Sequence, residues 1–204
     1  MKKVFLATNN EGKVERYRKL FASAELDVEL CTPRDLGIEA IEVVEDGETL
    51  AENAEKKARA YFGKVDLPIL ANDTGFWVEG EGLVSAPKRA ALGEKNEAEL
   101  TQKEIAKHLV EFWKGIARKY GGRVNAAWVE AFVLLDPDGT LHTAEARREV
   151  ILTEIEFGVP HVQMAVRALY ISQITGKPAA KHTAEEELLE MQPVQDALMK
   201  ILQD

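Results

Sequence analysis

The sequence predicts an α/β protein built around a mixed β-sheet. Residues 4–7 are apolar and precede a polar turn, after which apolar residues recur at helical spacing. A second apolar segment, residues 68–71, follows a strong helix-start sequence. Segments 124–135 and 141–153 flank an Asp-Pro-Asp-Gly sequence at 136–139, which is typical of a hairpin turn. Strands that first alternate with helices and then pair as a hairpin indicate both parallel and antiparallel pairing.

The first strand and the turn after it form a candidate phosphate site. The strand covers Val4 to Ala7, and Tyr17, Leu20 and Phe21 mark the buried face of the following helix. The amides of a helix's first turn are unpaired and carry the positive end of the helix dipole, so they attract phosphate. A turn that only connects two elements is the alternative, and the segment is not a Walker loop. The candidate ligands in this turn are Thr8, Asn9, Asn10, Gly12 and Lys13.

Composition and charge limit the size of the fold and its partners. The chain has 204 residues, 46% of them hydrophobic, and we expect one domain over residues 1–204. Its net charge of −9 opposes nucleic-acid binding, which requires a basic surface. No apolar run approaches the ~18 residues of a membrane span, so we expect a cytoplasmic protein with no membrane partner. Cys31 is the only cysteine and is expected to be a buried, inert thiol.

The elements after the first helix begin with two strand-like segments, Leu26 to Cys31 and Ile38 to Val44. A helix is then predicted to start at Thr49, because Thr49 and Glu52 have the spacing of a capping box. Its apolar face consists of Leu50, Ala54, Ala58 and Tyr61.

Polar residues before and on this helix are functional candidates. Acidic residues, Glu45 among them, crowd segment 45–48, and Mg²⁺ binds one or two such carboxylates together with substrate phosphates. A solvated acidic loop is the alternative. Thr49, Asn53 and Lys57 form a polar stripe on the helix, which makes Lys57 either a phosphate ligand or an ordinary surface lysine.

The strand Pro68 to Ala71 is expected to end in a turn at residues 72–75. Open α/β sheets place ligand sites at such strand ends. Asp73 offers a carboxylate, Thr74 a hydroxyl group, and Gly75 lets the backbone approach a ligand closely. An Asx turn without a ligand is the alternative.

The remaining pattern predicts a long helix over residues 97–120, a helical segment over 161–174, and a final helix over 183–202 that Pro193 interrupts. A second capping-box pattern at Thr183 marks the start of that final helix. The histidines lack zinc-ligand spacing, and no serine lies in a Gly-x-Ser-x-Gly sequence. Zinc binding and covalent catalysis therefore have little support.

Three segments, taken in order, resemble the Ham1-like family, also called the inosine triphosphate pyrophosphatases. Residues 7–13 are similar to the family's Thr-x-Asn-x-x-Lys opening. Residues 45–60 are similar to its Gly-x-Thr-Phe-x-Glu-Asn-Ala helix, and residues 71–75 to its Ala-Asp-Asp-Ser-Gly turn. A fainter match continues through Arg89 and through the hairpin to residues 157–158.

The resemblance implies an elongated mixed sheet flanked by helices, with two lobes around a central cleft, in a homodimer. It implies magnesium-dependent hydrolysis of nucleoside triphosphates to the monophosphate and pyrophosphate, as the family does with inosine and xanthosine nucleotides. Asp73 would be a metal ligand and the general base, Lys13 a second catalytic residue, and Glu45 a second metal ligand. The substrate ligands would be Thr8, Asn9, Asn10, Gly12, Lys13, Asn53, Lys57, Thr74, Gly75, Arg89, Phe157 and Gly158.

The chain departs from the family pattern most strongly near its C-terminus. Asn72 replaces the first aspartate of the turn, and residues 157–161 read Phe-Gly-Val-Pro-His where the family has Phe-Gly-Tyr-Asp-Pro. The family's base-reading Ser-His-Arg aligns with Met-Gln-Pro at 191–193. We therefore expect a pyrophosphohydrolase with altered base specificity. The alternative is a catalytically weak paralogue that binds a nucleotide or a partner protein, and a Maf-like pyrophosphatase fits the opening less well. The candidates to replace the lost contacts are His161, Lys177, Lys181 and His182.

Overall fold

The computed structural model describes residues 2–24 and 26–203. The strands are β1 (Lys2–Leu6), β2 (Val28–Cys31), β3 (Ile69–Val78), β4 (Gly82–Leu83), β5 (Arg123–Leu135), β6 (Leu141–Thr153) and β7 (Tyr170–Ser172). The α-helices are α1 (Glu11–Ser23), α2 (Leu50–Tyr61), α3 (Pro87–Leu92), α4 (Gln102–Lys119), α5 (Ala184–Glu190) and α6 (Gln192–Gln203). Short 3₁₀ helices cover Glu97–Glu99, Val162–Ala168 and Ala179–Lys181.

The strands of the described residues form one mixed sheet in the order β2-β1-β3-β5-β6-β7, with β4 paired to β3. β1 runs parallel to β2 and β3, whereas the β3–β4 and β6–β7 pairs are antiparallel. The predicted mixed α/β fold is thereby confirmed. The predicted hairpin turn is also present, since Asp136 N donates to Thr140 O at 2.9 Å.

The chain divides into two compact units, of which the first comprises Met1–Thr74, Val129–Arg147 and Met191–Asp204. Its parallel strands are buried on both faces, as such strands usually are. Val4, Leu6 and Leu70 pack with α1 and α6, while Phe5, Ile69 and Ala71 pack with α2. Odd-numbered residues of β3 in this unit therefore face α2, and even-numbered residues face α1. The predicted buried faces of both helices are confirmed.

The second unit comprises Gly75–Trp128 and Arg148–Glu190. Its core forms where α4 packs with residues of the strands and of the 3₁₀ segment at 162–168. Phe76 lies edge-on to Trp113 and Trp128, with ring centroids 5.2 and 4.9 Å apart. Within the described residues, no helix has the length and apolar character needed to cross a membrane.

Three sequence predictions are wrong in detail. Residues 38–47 form neither helix nor strand, and Ile41 N instead bonds the Tyr61 hydroxyl at 2.9 Å. The segment 161–174 is a 3₁₀ helix followed by β7, because Met164 has non-helical φ/ψ (−145°, 47°) and residues 170–172 pair with β6. Residues 72–75 are not a turn but lie inside β3, because Phe76 and Val78 continue the buried alternation.

Candidate functional site

The turn after β1 is organised by its own side chains. Asn10 is the N-cap of α1, and its Oδ1 accepts from Lys13 N at 3.1 Å. Asn10 N in turn donates to Thr8 Oγ1 at 3.3 Å. A Cβ at Gly12 would lie 3.2 Å from Asn10 Oδ1, so a larger residue would crowd the cap. These contacts put Lys13 in the first helical turn, where the positive helix end already favours an anion.

β3 presents alternate side chains to the two helices that flank it. Asn72 Oδ1 accepts from Lys13 Nζ of α1 at 3.3 Å, and Asn72 Nδ2 donates to Thr74 Oγ1 at 3.0 Å. Asp73 points to the other face, where its Oδ1 accepts from Lys57 Nζ of α2 at 2.8 Å. Its Oδ2 is 3.4 Å from Asn53 Nδ2, a donor one turn earlier on α2. The strand thus gives each lysine its own side-chain partner, and Lys57 Nζ also donates to the backbone oxygen of Asn72 at 3.4 Å.

The acidic loop is attached to α2 through backbone and side-chain contacts. Gly47 N donates to Asn53 Oδ1 at 2.8 Å, and a Cβ at Gly47 would lie only 2.7 Å from that oxygen. Glycine is therefore required at this position by the close approach of the loop to the helix. Thr49 is the N-cap as predicted, but the capping box is only half formed, since the Glu52 carboxylate accepts from Glu48 N.

Lys57 bridges the two carboxylates that the sequence singles out. Its Nζ is 2.8 Å from Glu45 Oε2 and 2.8 Å from Asp73 Oδ1. The Lys57 and Asp73 side chains are 15% and 12% exposed, whereas the Glu45 side chain is 47% exposed. A cavity of about 360 Å³ is lined by the turn at 7–10, Lys13, loop residues 41–43 and 45, Lys57 and Asn72. A second cavity of about 740 Å³ shares Thr8 and Asn9 but lies away from both lysines.

The charge of Lys13 is unfavourable in the free protein. Burial, followed by the neighbouring cations Lys57 and Arg16, lowers the pKa of Lys13, and the carboxylates of Glu130 and Asp73 partly oppose this effect. A phosphate group in the cavity would supply the missing negative charge. The site is therefore chemically suited to a polyanion.

The carboxylate pair fits a divalent cation only when other ligands take part. Within residues 2–24 and 26–203, no group of three His, Cys, Asp or Glu side chains is placed to hold a metal by itself. Magnesium in nucleotide sites is commonly held by one or two carboxylates plus phosphate oxygens and water. Glu45 and Asp73 supply that number of hard oxygen ligands.

The sequence profile of the Ham1 family matches residues 4–158. The chain belongs to the Ham1 family. It is 36% identical over 156 residues to a dITP/XTP pyrophosphatase of Corynebacterium glutamicum (strain R), which covers 72% of this chain and 68% of that protein. A dITP/XTP pyrophosphatase of Frankia alni is 31% identical over 153 residues, or 74% and 73% of the two chains.

Solved structures of the Ham1 family share the fold over a longer span. A HAM1 protein from Coxiella burnetii superimposes with a TM-score of 0.71, covering 100% of this chain and 99% of that chain at 18% identity. A nucleoside-triphosphatase / dITP/XTP pyrophosphatase from Mycobacterium abscessus has a TM-score of 0.70 over 97% and 98% at 21% identity. The family profile ends at residue 158, so the fold continues where the sequence match stops.

Four sequence-predicted ligands of this Ham1 chain belong to the second unit: Gly75, Arg89, Phe157 and Gly158. Arg89 is exposed on α3. Phe157 N donates to Ala168 O at 2.8 Å, and a Cβ at Gly158 would meet Ala180 Cβ at 2.7 Å. Within this unit, the Phe157 backbone is therefore hydrogen-bonded, and Gly158 lies close to Ala180. The other predicted ligands, including Asp73 and Thr74, lie in the first unit.

Three of the candidates to replace the lost C-terminal contacts are occupied within the second unit. The His182 side chain is fully buried, with Nε2 2.8 Å from Thr175 Oγ1 and Nδ1 3.0 Å from Glu190 Oε2. Lys177 pairs with Glu186, and His161 Nδ1 accepts from Gln163 N at 3.3 Å. Lys181 is exposed. The Thr183 capping box is complete, as Thr183 N donates to Glu186 and Glu186 N to Thr183.

The sequence analysis missed a buried ion pair in the first unit. Arg16 Nη2 lies 2.7 Å from Glu130 Oε2, and Glu130 is completely buried in β5. The available signal was a single charged residue inside the otherwise apolar segment 126–135. A carboxylate in such a strand requires a buried cation.

Proposed function

We propose that this Ham1-family chain is a nucleoside triphosphate pyrophosphohydrolase, which converts a nucleoside triphosphate and water to the monophosphate and pyrophosphate. The observation that carries the proposal is that Lys13 meets Asn72 and Lys57 meets Asp73 at adjacent positions of β3, while both lysines line one cavity. The dITP/XTP pyrophosphatase names of the relatives support a substrate with a deaminated or otherwise modified base.

The phosphate end of the substrate would occupy the cavity beside the first turn of α1. Thr8, Asn9 and Asn10 line it, Gly12 follows them in the first turn of α1, and the positive helix end adds to the attraction. Lys13 and Lys57 would pair with phosphate oxygens. In this scheme Lys57 exchanges its carboxylate partners for the substrate.

Asp73 would act on the attacking water. The water attacks the α-phosphorus, the bond from that phosphorus to the bridging oxygen of the β-phosphate breaks, and pyrophosphate leaves with the bond electrons. Asp73 Oδ2, whose contact with Asn53 is long at 3.4 Å, would accept the water's proton. Glu45 and Asp73 would hold Mg²⁺ together with phosphate oxygens, and the ion would neutralise developing charge on the phosphates.

The whole chain, residues 1–204, would act as a single Ham1-like domain in a cytoplasmic homodimer. The further proposed substrate contacts are Thr74, Gly75, Arg89, Phe157 and Gly158. Neither nucleic acid nor a membrane is proposed as a partner, given the net charge of −9.

A catalytically weak, nucleotide-binding paralogue is the second candidate. Asn72 stands at the first position of the Asp-Asp pattern, and the family profile ends at residue 158. This candidate would bind a nucleotide in the presence of magnesium without releasing pyrophosphate.

Pyrophosphate release from a panel of standard, deaminated and modified triphosphates separates the two candidates. Asp73→Asn is the test variant, and Asp66→Asn, at an exposed aspartate, is the matched control. Turnover by wild type and Asp66→Asn, but not by Asp73→Asn, supports the hydrolase. If wild type turns over no member of the panel, the hydrolase proposal fails, and magnesium-dependent binding then supports the paralogue.

A further inference from the structure

The buried ion pair beside the candidate phosphate site has no part in the reaction described above. Arg16 follows Lys13 by three residues on α1, so the two side chains are neighbours on the helix surface. Glu130 lies opposite on β5, 0% exposed. Its Oε2 is 2.7 Å from Arg16 Nη2 and 3.5 Å from the Tyr17 hydroxyl.

The burial of this ion pair in the core is energetically unfavourable. Taking both charges out of water costs several kcal/mol per ion, and apolar residues of similar size are often equally or more stable. Arg16 Nε is also buried without a hydrogen-bond partner. Burial raises the pKa of Tyr17, so its phenol stays neutral and cannot neutralise Arg16. Glu130 supplies the negative charge that Arg16 requires.

The location of the pair gives it an effect on Lys13. The amide oxygen of Asn72 that Lys13 contacts is neutral, so this hydrogen bond supplies no counter-charge. The charged groups that act on Lys13 are Arg16 on the same helix, Lys57 on α2, Asp73 on β3 and Glu130 on β5. Asp73 is already paired with Lys57. Glu130 is paired with Arg16 in the same way, so it offsets the positive charge that Arg16 places beside Lys13.

We propose that Glu130 is a positioning residue, which neutralises the charge of Arg16 and thereby keeps the neighbouring Lys13 ammonium charged to receive a phosphate group. The inference rests on the proposed function only in the identity of that ligand. Glu130 is 0% exposed, so we assign it no contact with the substrate or the reacting atoms. It sets the electrostatic state of Lys13 before the nucleotide arrives.

The test measures Lys13 itself, in nucleotide-free and metal-free protein. The extent of reductive methylation at Lys13 is followed against pH by peptide mass spectrometry, because only the neutral amine reacts. The variants are Glu130→Gln, Arg16→Met and the double variant. Loss of the carboxylate should move the Lys13 midpoint down by about half a pH unit or more, which triples the neutral fraction. Loss of the guanidinium should move the midpoint up.

Opposite shifts in the two single variants distinguish an electrostatic role from structural damage, which would move Lys13 in one direction in both. If Glu130→Gln does not fold, comparison of Arg16→Met with the double variant measures the same carboxylate effect. Equal midpoints in that comparison, or shifts of the same sign in the two single variants, overturn the inference.

Turnover separates this inference from the proposed function. If the midpoints shift as expected but the wild type hydrolyses no triphosphate, the proposed function fails and the charge pairing stands. If turnover is present and its basic limb is unchanged in Glu130→Gln, with unchanged midpoints, the inference fails alone.

Discussion

Substitution of Lys57 by methionine is expected to strengthen divalent-metal binding in the absence of nucleotide. The Lys57 ammonium lies 2.8 Å from both Glu45 Oε2 and Asp73 Oδ1, so a metal that takes these carboxylates must first displace it. Exposed pairs such as that with Glu45 contribute about 0–1 kcal/mol. The Asp73 pair is mostly buried and contributes more, although less than the ~3–5 kcal/mol that removing one partner of a fully buried pair costs. A total of about 1–3 kcal/mol corresponds to a roughly 5- to 150-fold change in affinity.

Titration with Mn²⁺, followed by the electron paramagnetic resonance signal of the free ion, measures this affinity directly. Lys56→Met is the control, because Lys56 is the neighbouring residue and pairs with Asp46 instead, at 2.5 Å. The nucleotide affinity of Lys57→Met should fall, in contrast to its metal affinity. Metal binding that is unchanged or weaker in Lys57→Met than in the control would refute the reasoning.

Substitutions of three other residues of the first unit should change turnover or stability. Asp73→Asn should lower turnover by about 10²- to 10⁴-fold in the pyrophosphate assay while Asp66→Asn does not, since only the former carboxylate is placed to accept a proton; equal losses would contradict this. Gly47→Ala should lower the free energy of unfolding by about 1–3 kcal/mol in urea denaturation, because its Cβ would lie 2.7 Å from a side-chain oxygen of α2. Gly115→Ala is the control and should not destabilise the protein, since a Cβ at Gly115 would meet no atom within 4 Å. Lys13→Met should be more stable than wild type near neutral pH, where the unfavourable Lys13 charge is present in the folded wild type. This advantage should shrink as pH rises towards the ordinary lysine pKa of 10.5, because the folded wild type releases the Lys13 proton at lower pH than the unfolded chain does. An advantage that grows over this range would contradict the lowered pKa.

The sequence predicts β1, α1 and α2 well because their signals are local. Val4 to Ala7 is apolar on both faces, as a parallel strand requires, and Thr49 has the cap spacing of a helix start. The buried residues Tyr17 and Tyr61 lie on the faces that helical periodicity indicates.

The errors come from interactions that sequence patterns do not contain. Residues 72–75 include residue types that are common in turns, but tertiary packing of Phe76 and Val78 keeps the chain extended over residues 72–75. Residues 38–47 are ordered by contacts with α2 rather than by strand pairing.

The candidate site also combines features that are visible in the sequence with features that depend on the tertiary structure. The residue types at Lys13, Lys57 and Asp73 are visible in the sequence, and their pairing depends on β3. The Arg16–Glu130 pair joins residues 114 positions apart, which no short motif encodes. The assignment of catalytic and ligand roles stays a prediction.

The alternation of β3 has a consequence for how this site can change during evolution. Asn72 serves the lysine of α1 and Asp73 serves the lysine of α2, on opposite faces of one strand. Point substitutions can alter either partner separately, as a neutral amide at position 72 beside an intact carboxylate illustrates. Inserting or deleting one residue earlier in the strand would exchange the two partners and turn the buried positions to the wrong faces. The chemistry of this site can therefore change by substitution of residues, whereas a change in the register of β3 would disrupt both the site and the core.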